Sequence, residues 1–163
     1  MGIPRTNGNR ILARACDDLA SYAAAVWPRF ECAPHHRLLC DELEDVERAD
    51  IDRLQIAEPP RHGKSLLTSA IFPAWVLGRN PTWSIIAASY GQELANDFGR
   101  MVRGFIESNI HRAIFPNSRI TEDNAAAHRF GLQGGGAYFA AGVGGPITGR
   151  GADLLIIDDP QKN

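Results

Sequence analysis

The sequence has no apolar run approaching the roughly 20 residues needed to cross a bilayer. Its longest runs, such as Leu154 to Ile157, are strand-sized. No hydrophobic signal region follows Met1, so a cytosolic protein with no membrane partner is expected. Charge of one sign is also lacking. The 17 Lys and Arg against 19 Asp and Glu leave a formal net charge of −2, which excludes a global basic field and confines any nucleic-acid contact to a local patch. Three cysteines, Cys16, Cys32 and Cys40, are too few and too odd in number for a disulfide framework, and reduced thiols are the natural reading. Cys32, His35, His36 and Cys40 lie close together, but their spacing matches no common closed zinc pattern, and ordinary helix packing is the preferred account. No internal repeat or low-complexity linker is visible.

What is there resembles a folded α/β protein. The 163 residues are 44 % apolar and 22 % charged, enough for one core and short for two. Ile11, Ala15, Leu19, Tyr22 and Val26 recur at steps of three and four, so a helix is predicted that stops before Pro28. His36, Leu39, Leu43 and Val46 repeat that spacing. The acidic residues between them, Asp41, Glu42, Glu44, Asp45 and Glu47, read as a solvated face. This N-terminal helical segment, 1–50, is expected to pack on a core over 51–163.

In the core, Leu54, Ile56 and Ala57 read as a short strand that leads into the loop Glu58-Pro59-Pro60-Arg61-His62-Gly63. Lys64 to Leu77 then reads as helix, in which Pro73 leaves the Ser69 carbonyl without its donor and bends or divides the element. Trp83 to Ser89 is predicted as a strand covered on both faces, followed by an amphipathic helix through Leu94, Phe98, Val102 and Phe105. His128 to Leu132 and Ala137 to Ala141 form a predicted hairpin around Gly134-Gly135-Gly136. A glycine-rich loop over Gly142 to Gly151 precedes a last buried strand, Asp153 to Asp158. Alternation of this kind argues for a mostly parallel sheet with helices on both faces.

Gly63-Lys64-Ser65, between a predicted strand and a predicted helix, is the strongest chemical signal. Glycine lets the backbone approach an anion, and the first N–H groups of the helix point at it along the helix dipole. Lys64 can supply a point charge to the β- and γ-phosphates, and the Ser65 hydroxyl one magnesium position. The usual phosphate loop has a further glycine where this chain has Glu58. The second signal is the strand end Asp158-Asp159. At the C-terminal edge of a parallel sheet, Asp158 would hold magnesium beside Ser65, and Asp159 would orient the attacking water. Together they point to a P-loop NTPase using ATP and Mg2+.

The run Pro59-Pro60-Arg61-His62-Gly63-Lys64-Ser65, then Phe72-Pro73-Ala74-Trp75, Ala88-Ser89-Tyr90, Thr148-Gly149-Arg150-Gly151-Ala152-Asp153 and Leu155-Ile156-Ile157-Asp158-Asp159-Pro160, closely resembles the ATPase domain of tailed-phage terminase large subunits. The resemblance covers most of the chain from about Phe30 onward. It implies a packaging motor in which ATP hydrolysis drives double-stranded phage DNA through a portal protein into a capsid, with a terminase small subunit as partner and a homo-oligomeric ring as the working form. It also implies a nucleotide-binding set of Pro60, Arg61, His62, Gly63, Lys64, Ser65 and Leu66. Arg61 would act on the γ-phosphate alongside Lys64 and Asp159, a surface arginine being the equal alternative, and His35 or His36 would touch the adenine, although ordinary core or surface histidines are the preferred account. Arg150 would face DNA or a neighbouring subunit. A nuclease domain normally follows in such proteins. This sequence ends at Asn163, before that domain and before the coupling motif, so a fragment or truncated gene product is expected, with the strand bearing Asp158 at an unpaired edge. A helicase-like ATPase shares both phosphate-site motifs, and a catalytically silent remnant is the alternative outside enzymes.

Overall fold

The computed structural model of the chain describes residues 12–59, 62–126, 128–144 and 151–159. A helical turn over 12–15 breaks at Cys16 and Asp17, and Asp18 starts helix α1 (Leu19–Val26) by accepting from Ser21 N at 2.7 Å. The single N-terminal helix predicted is therefore two pieces, divided where an N-cap carboxylate restarts it. Helix α2 (Pro34–Glu47) follows, with proline in its first turn, where no N–H is needed.

The predicted helix from Lys64 divides at its proline. Helix α3 (Lys64–Leu66) widens into a π-helical turn over Leu67–Ile71, in which Phe72 N–H donates to Leu67 O, and α4 (Phe72–Arg79) carries Pro73 in its first turn. One extra residue in the turn lets the helix continue past a residue that has no N–H to give. Trp75, fully buried in α4, donates its Nε1 proton to Ala15 O at 3.1 Å and ties this element to the N-terminal helices.

Strand β1 (Ser84–Ser89) and helix α5 (Gln92–Glu107) stand as predicted, with Phe98, Val102 and Phe105 on the buried face. A short helix α6 (Asn109–Ile114) and strand β2 (Ile120–Ala126) were not foreseen. Strands β3 (Arg129–Leu132) and β4 (Ala137–Gly142) form the expected hairpin, turning through Gly135 at φ +95°. Strand β5 (Leu154–Asp158) completes the order β2-β3-β4-β1-β5.

Three expectations need correction. The sheet is mixed, not mostly parallel: β1 is parallel to β4 and β5, while β3 is antiparallel to β2 and β4, because a tight glycine turn joins only antiparallel neighbours. The segment 51–57 is no strand. Its burial alternates as a strand's does, with Leu54 and Ile56 half-buried, yet it has no ladder beside it. Strand β5 is covered on one face only and lies at the sheet edge. Leu154 and Ile156 pack on the core, whereas Leu155 and Ile157 are 57 % and 59 % exposed.

The acidic face of α2 is likewise only partly solvated. Glu44 is buried and accepts from Leu19 N at 2.7 Å. Glu47, also buried, accepts from Arg79 Nε at 3.0 Å and Asn80 Nδ2 at 2.6 Å. These carboxylates hold the start of α1 and the end of α4, which is why they tolerate burial. Desolvation raises the Glu44 pKa above its ordinary value. One core cluster runs from Ala15 to Ala140 through the helices and the sheet. Among the described residues no helix is long and apolar enough to cross a membrane.

Candidate functional site

The site is built where the start of α3 meets the end of β5. Gly63 has φ +82°, a left-handed conformation that costs glycine little, and its carbonyl accepts from Leu67 N at 3.0 Å to begin the helix. The first N–H groups of a helix have no partner within it, so this turn presents donors to an anion. Thr68, missed in the sequence, accompanies it: its hydroxyl donates to Lys64 O at 2.9 Å and its side chain lines the groove beside the site.

Alternation along β5 puts Leu154, Ile156 and Asp158 on one face, the face that packs against the core. Asp158 is thereby carried into the interior, 6 % exposed, with its Oδ1 accepting from Ser65 Oγ at 3.2 Å. In a continuing strand Asp159 would point to the opposite face. Instead its backbone turns to φ +39°, a left-handed value that aspartate tolerates better than most residues, and its Oδ1 comes to 3.5 Å from Lys64 Nζ. Asp159 remains open to water, its side chain 69 % exposed.

Lys64, Ser65, Asp158 and Asp159 are thus brought together from residues some 93 apart in sequence. Two hard oxygen donors, Ser65 Oγ and Asp158 Oδ1, side by side suit magnesium, which takes one or two protein ligands and fills its shell with water and phosphate. Lys64, Asp158 and Asp159 line an open groove of about 870 Å³ that Leu54 and Ile56 also line. Among the described residues no group of three or more His, Cys, Asp or Glu could hold a metal by itself. Cys40 is buried and Cys32 exposed.

A second hollow, about 460 Å³, lies against the loop and is lined by His35, His36, His62, Gly63 and Leu66. The His35 and His36 rings lie in tilted contact, with centroids 4.0 Å apart and planes at 48°, and His36 Nε2 is 2.8 Å from the His62 carbonyl oxygen. Glu58 Oε2 is buried without a hydrogen-bond partner among the described residues. Pro60, Arg61 and Arg150 lie outside the described residues.

A family model described as terminase large subunit, T4likevirus-type, N-terminal, matches residues 56–163. No curated protein and no solved structure matches the chain.

Proposed function

Because the chain belongs to the T4likevirus-type terminase large-subunit family, N-terminal region, and so has a role in phage DNA packaging, we propose that it is a P-loop ATPase unit whose hydrolysis powers the movement of double-stranded DNA. The observation that carries this reading is the pairing of Ser65 with Asp158 at 3.2 Å, next to Lys64 and Asp159 at 3.5 Å. An apolar strand ending in two carboxylates has no structural need to meet a Gly-Lys-Ser turn. Phosphoryl chemistry does need a hydroxyl, a cation and two carboxylates in one place.

Magnesium-ATP, when bound, supplies the reactive phosphoryl group and the divalent charge. Lys64, whose ammonium makes a long contact to an exposed carboxylate among the described residues, would neutralise phosphate oxygens. Ser65 and Asp158 would hold the cation, the burial of Asp158 limiting its carboxylate's freedom to turn. Asp159, which is solvent-facing and has a left-handed backbone, would accept a hydrogen bond from water and orient it for attack, and its exposure supports this reading. Arg61 adds a γ-phosphate contact in this reading. Partners would be double-stranded DNA, a portal protein, a small subunit and further copies of the chain in a ring.

Calorimetric titration of the chain with ATP, with and without magnesium, tests the proposal. Saturable binding that strengthens with magnesium and disappears in Lys64→Ala is expected. Binding indifferent to both would refute it.

A further inference from the structure

His36 is the third residue of α2, and its ring bridges two backbone segments. Nδ1 is 3.2 Å from Ala33 N and 3.1 Å from the Glu31 carbonyl oxygen, and Nε2 is 2.8 Å from the His62 carbonyl oxygen. A carbonyl only accepts, so Nε2 carries a proton and donates to His62 O. In the neutral ring Nδ1 is then an acceptor, and the Ala33 N–H, which also donates to the Glu31 carbonyl oxygen at 2.9 Å, is shared between the two. Ala33, at the N-cap, has no side-chain acceptor, and His36 alone supplies the returning half of a capping box, the position usually held by Glu or Gln.

The other end of the ring reaches 26 residues along the chain to the peptide that enters Gly63. A Cβ on Gly63 would stand 3.2 Å from His36 Nε2, so the ring rests against the point where the loop becomes helix. Phe30, at 5.2 Å between centroids, and His35, at 4.0 Å, flank it and limit its rotation.

We infer that His36 is a positioning residue for the phosphate loop, acting through the His62–Gly63 peptide. That peptide is planar and trans, so its C=O and N–H point in opposite directions. Fixing the carbonyl toward α2 fixes the Gly63 N–H away from α2 and stops the unit from flipping. The N-terminal helices thereby set the donor array at the start of α3. This inference rests on reading Gly63 to Ser65 as the phosphate loop. It gives His36 a different task from contacting a base, since both ring nitrogens are engaged with backbone.

The test compares the parent with His36→Phe, His36→Gln and Lys64→Ala, measuring magnesium-ATP affinity and, without nucleotide, amide exchange over residues 62–66. His36→Phe keeps a flat ring and loses both nitrogens, so its affinity should fall about fivefold, the effect of one neutral hydrogen bond. Its loop amides should exchange faster than the parent's. His36→Gln offers an acceptor and a donor side by side and should restore both readouts toward the parent. Parent-like affinity and exchange in His36→Phe, or equal losses in His36→Phe and His36→Gln, would overturn the inference. If Lys64→Ala binds as tightly as the parent, the phosphate-loop reading fails instead, and the exchange comparison still decides whether the ring holds the loop.

Discussion

Replacing Lys64 with alanine separates what the site contributes to folding from what it contributes to binding. In the free chain the Lys64 ammonium has a long contact, 3.5 Å, to a carboxylate that is largely in water. An exposed pair of this kind contributes about 0 to 1 kcal/mol, so the melting temperature without ligand should fall by no more than about 4 °C for a chain of this length. With nucleotide the comparison changes. A charge-assisted hydrogen bond to phosphate is worth about 1.5 to 3 kcal/mol, so Lys64→Ala should bind magnesium-ATP about 10- to 100-fold more weakly. At ATP near 100 times the parent's Kd, mass action stabilises the parent by about 2.7 kcal/mol. That is about 5 to 11 °C in Tm at this size. The variant should keep from about half of that shift, at a tenfold loss, down to about a sixth of it, at a hundredfold loss. Thermal melts of both proteins with and without magnesium-ATP give all four numbers. A variant stabilised by magnesium-ATP as strongly as the parent would refute the reasoning, and one that fails to fold without ligand would show that Lys64 serves the core.

The two carboxylates should separate in behaviour: Asp158→Asn weakens the magnesium dependence of binding, whereas Asp159→Asn keeps nucleotide and loses turnover in any form of the protein that hydrolyses ATP. Equal losses of binding, read by calorimetry, would contradict the division. Gly78→Ala should destabilise the fold by about 1 to 3 kcal/mol in urea unfolding, because its Cβ would stand 2.6 Å from Phe115 Cγ in the core, and an unchanged midpoint would show that the ring moves aside freely. His111 is fully buried between Tyr22 and Ser118, and burial, aided by the Arg112 charge, holds its imidazole down at about 4. The unfolded chain binds this proton near 6.5, so stability is full above that pH and is lost as pH falls toward 4, by about 3 kcal/mol in total. Urea titrations across that window should show a shallower pH slope in His111→Gln, and an unchanged slope would assign the acid sensitivity elsewhere.

What was legible in the sequence was local. Gly63-Lys64-Ser65 and Asp158-Asp159 stood out through residue types whose proposed roles depend on one turn or one strand end, and the structure brings them together, while the hairpin about Gly135 was legible through turn residues. Helix α6 and β2 were missed because α6 spans only six residues, too few for a helical period to register, and the alternation in β2 is interrupted by polar residues and a register shift. The buried roles of Glu44 and Glu47 could not be read from α2 by itself. Each carboxylate is tolerated in the interior because of a donor from elsewhere, Leu19 N for one and Arg79 with Asn80 for the other, and charge counting along a single helix sees neither.

The segment 51–57 shows the limit most clearly. Side-chain pattern decides which face of an extended chain turns inward, and here Leu54 and Ile56 turn inward as the pattern requires. A strand, however, is defined by the neighbour that accepts its backbone hydrogen bonds, and no residue in the segment specifies that neighbour. In β5 an unbroken apolar run whose burial alternates in the same way does become a strand, because β1 lies alongside with Ile85 to Ser89 in register against Leu154 to Asp158. Both segments line the 870 Å³ groove, β5 paired on a single side and 51–57 without a strand partner among the described residues. Ser65 and Asp158 nevertheless meet, so the candidate site does not depend on a ladder between 51–57 and β5. It depends on the core that α3, the π-helical turn and α4 share with the sheet.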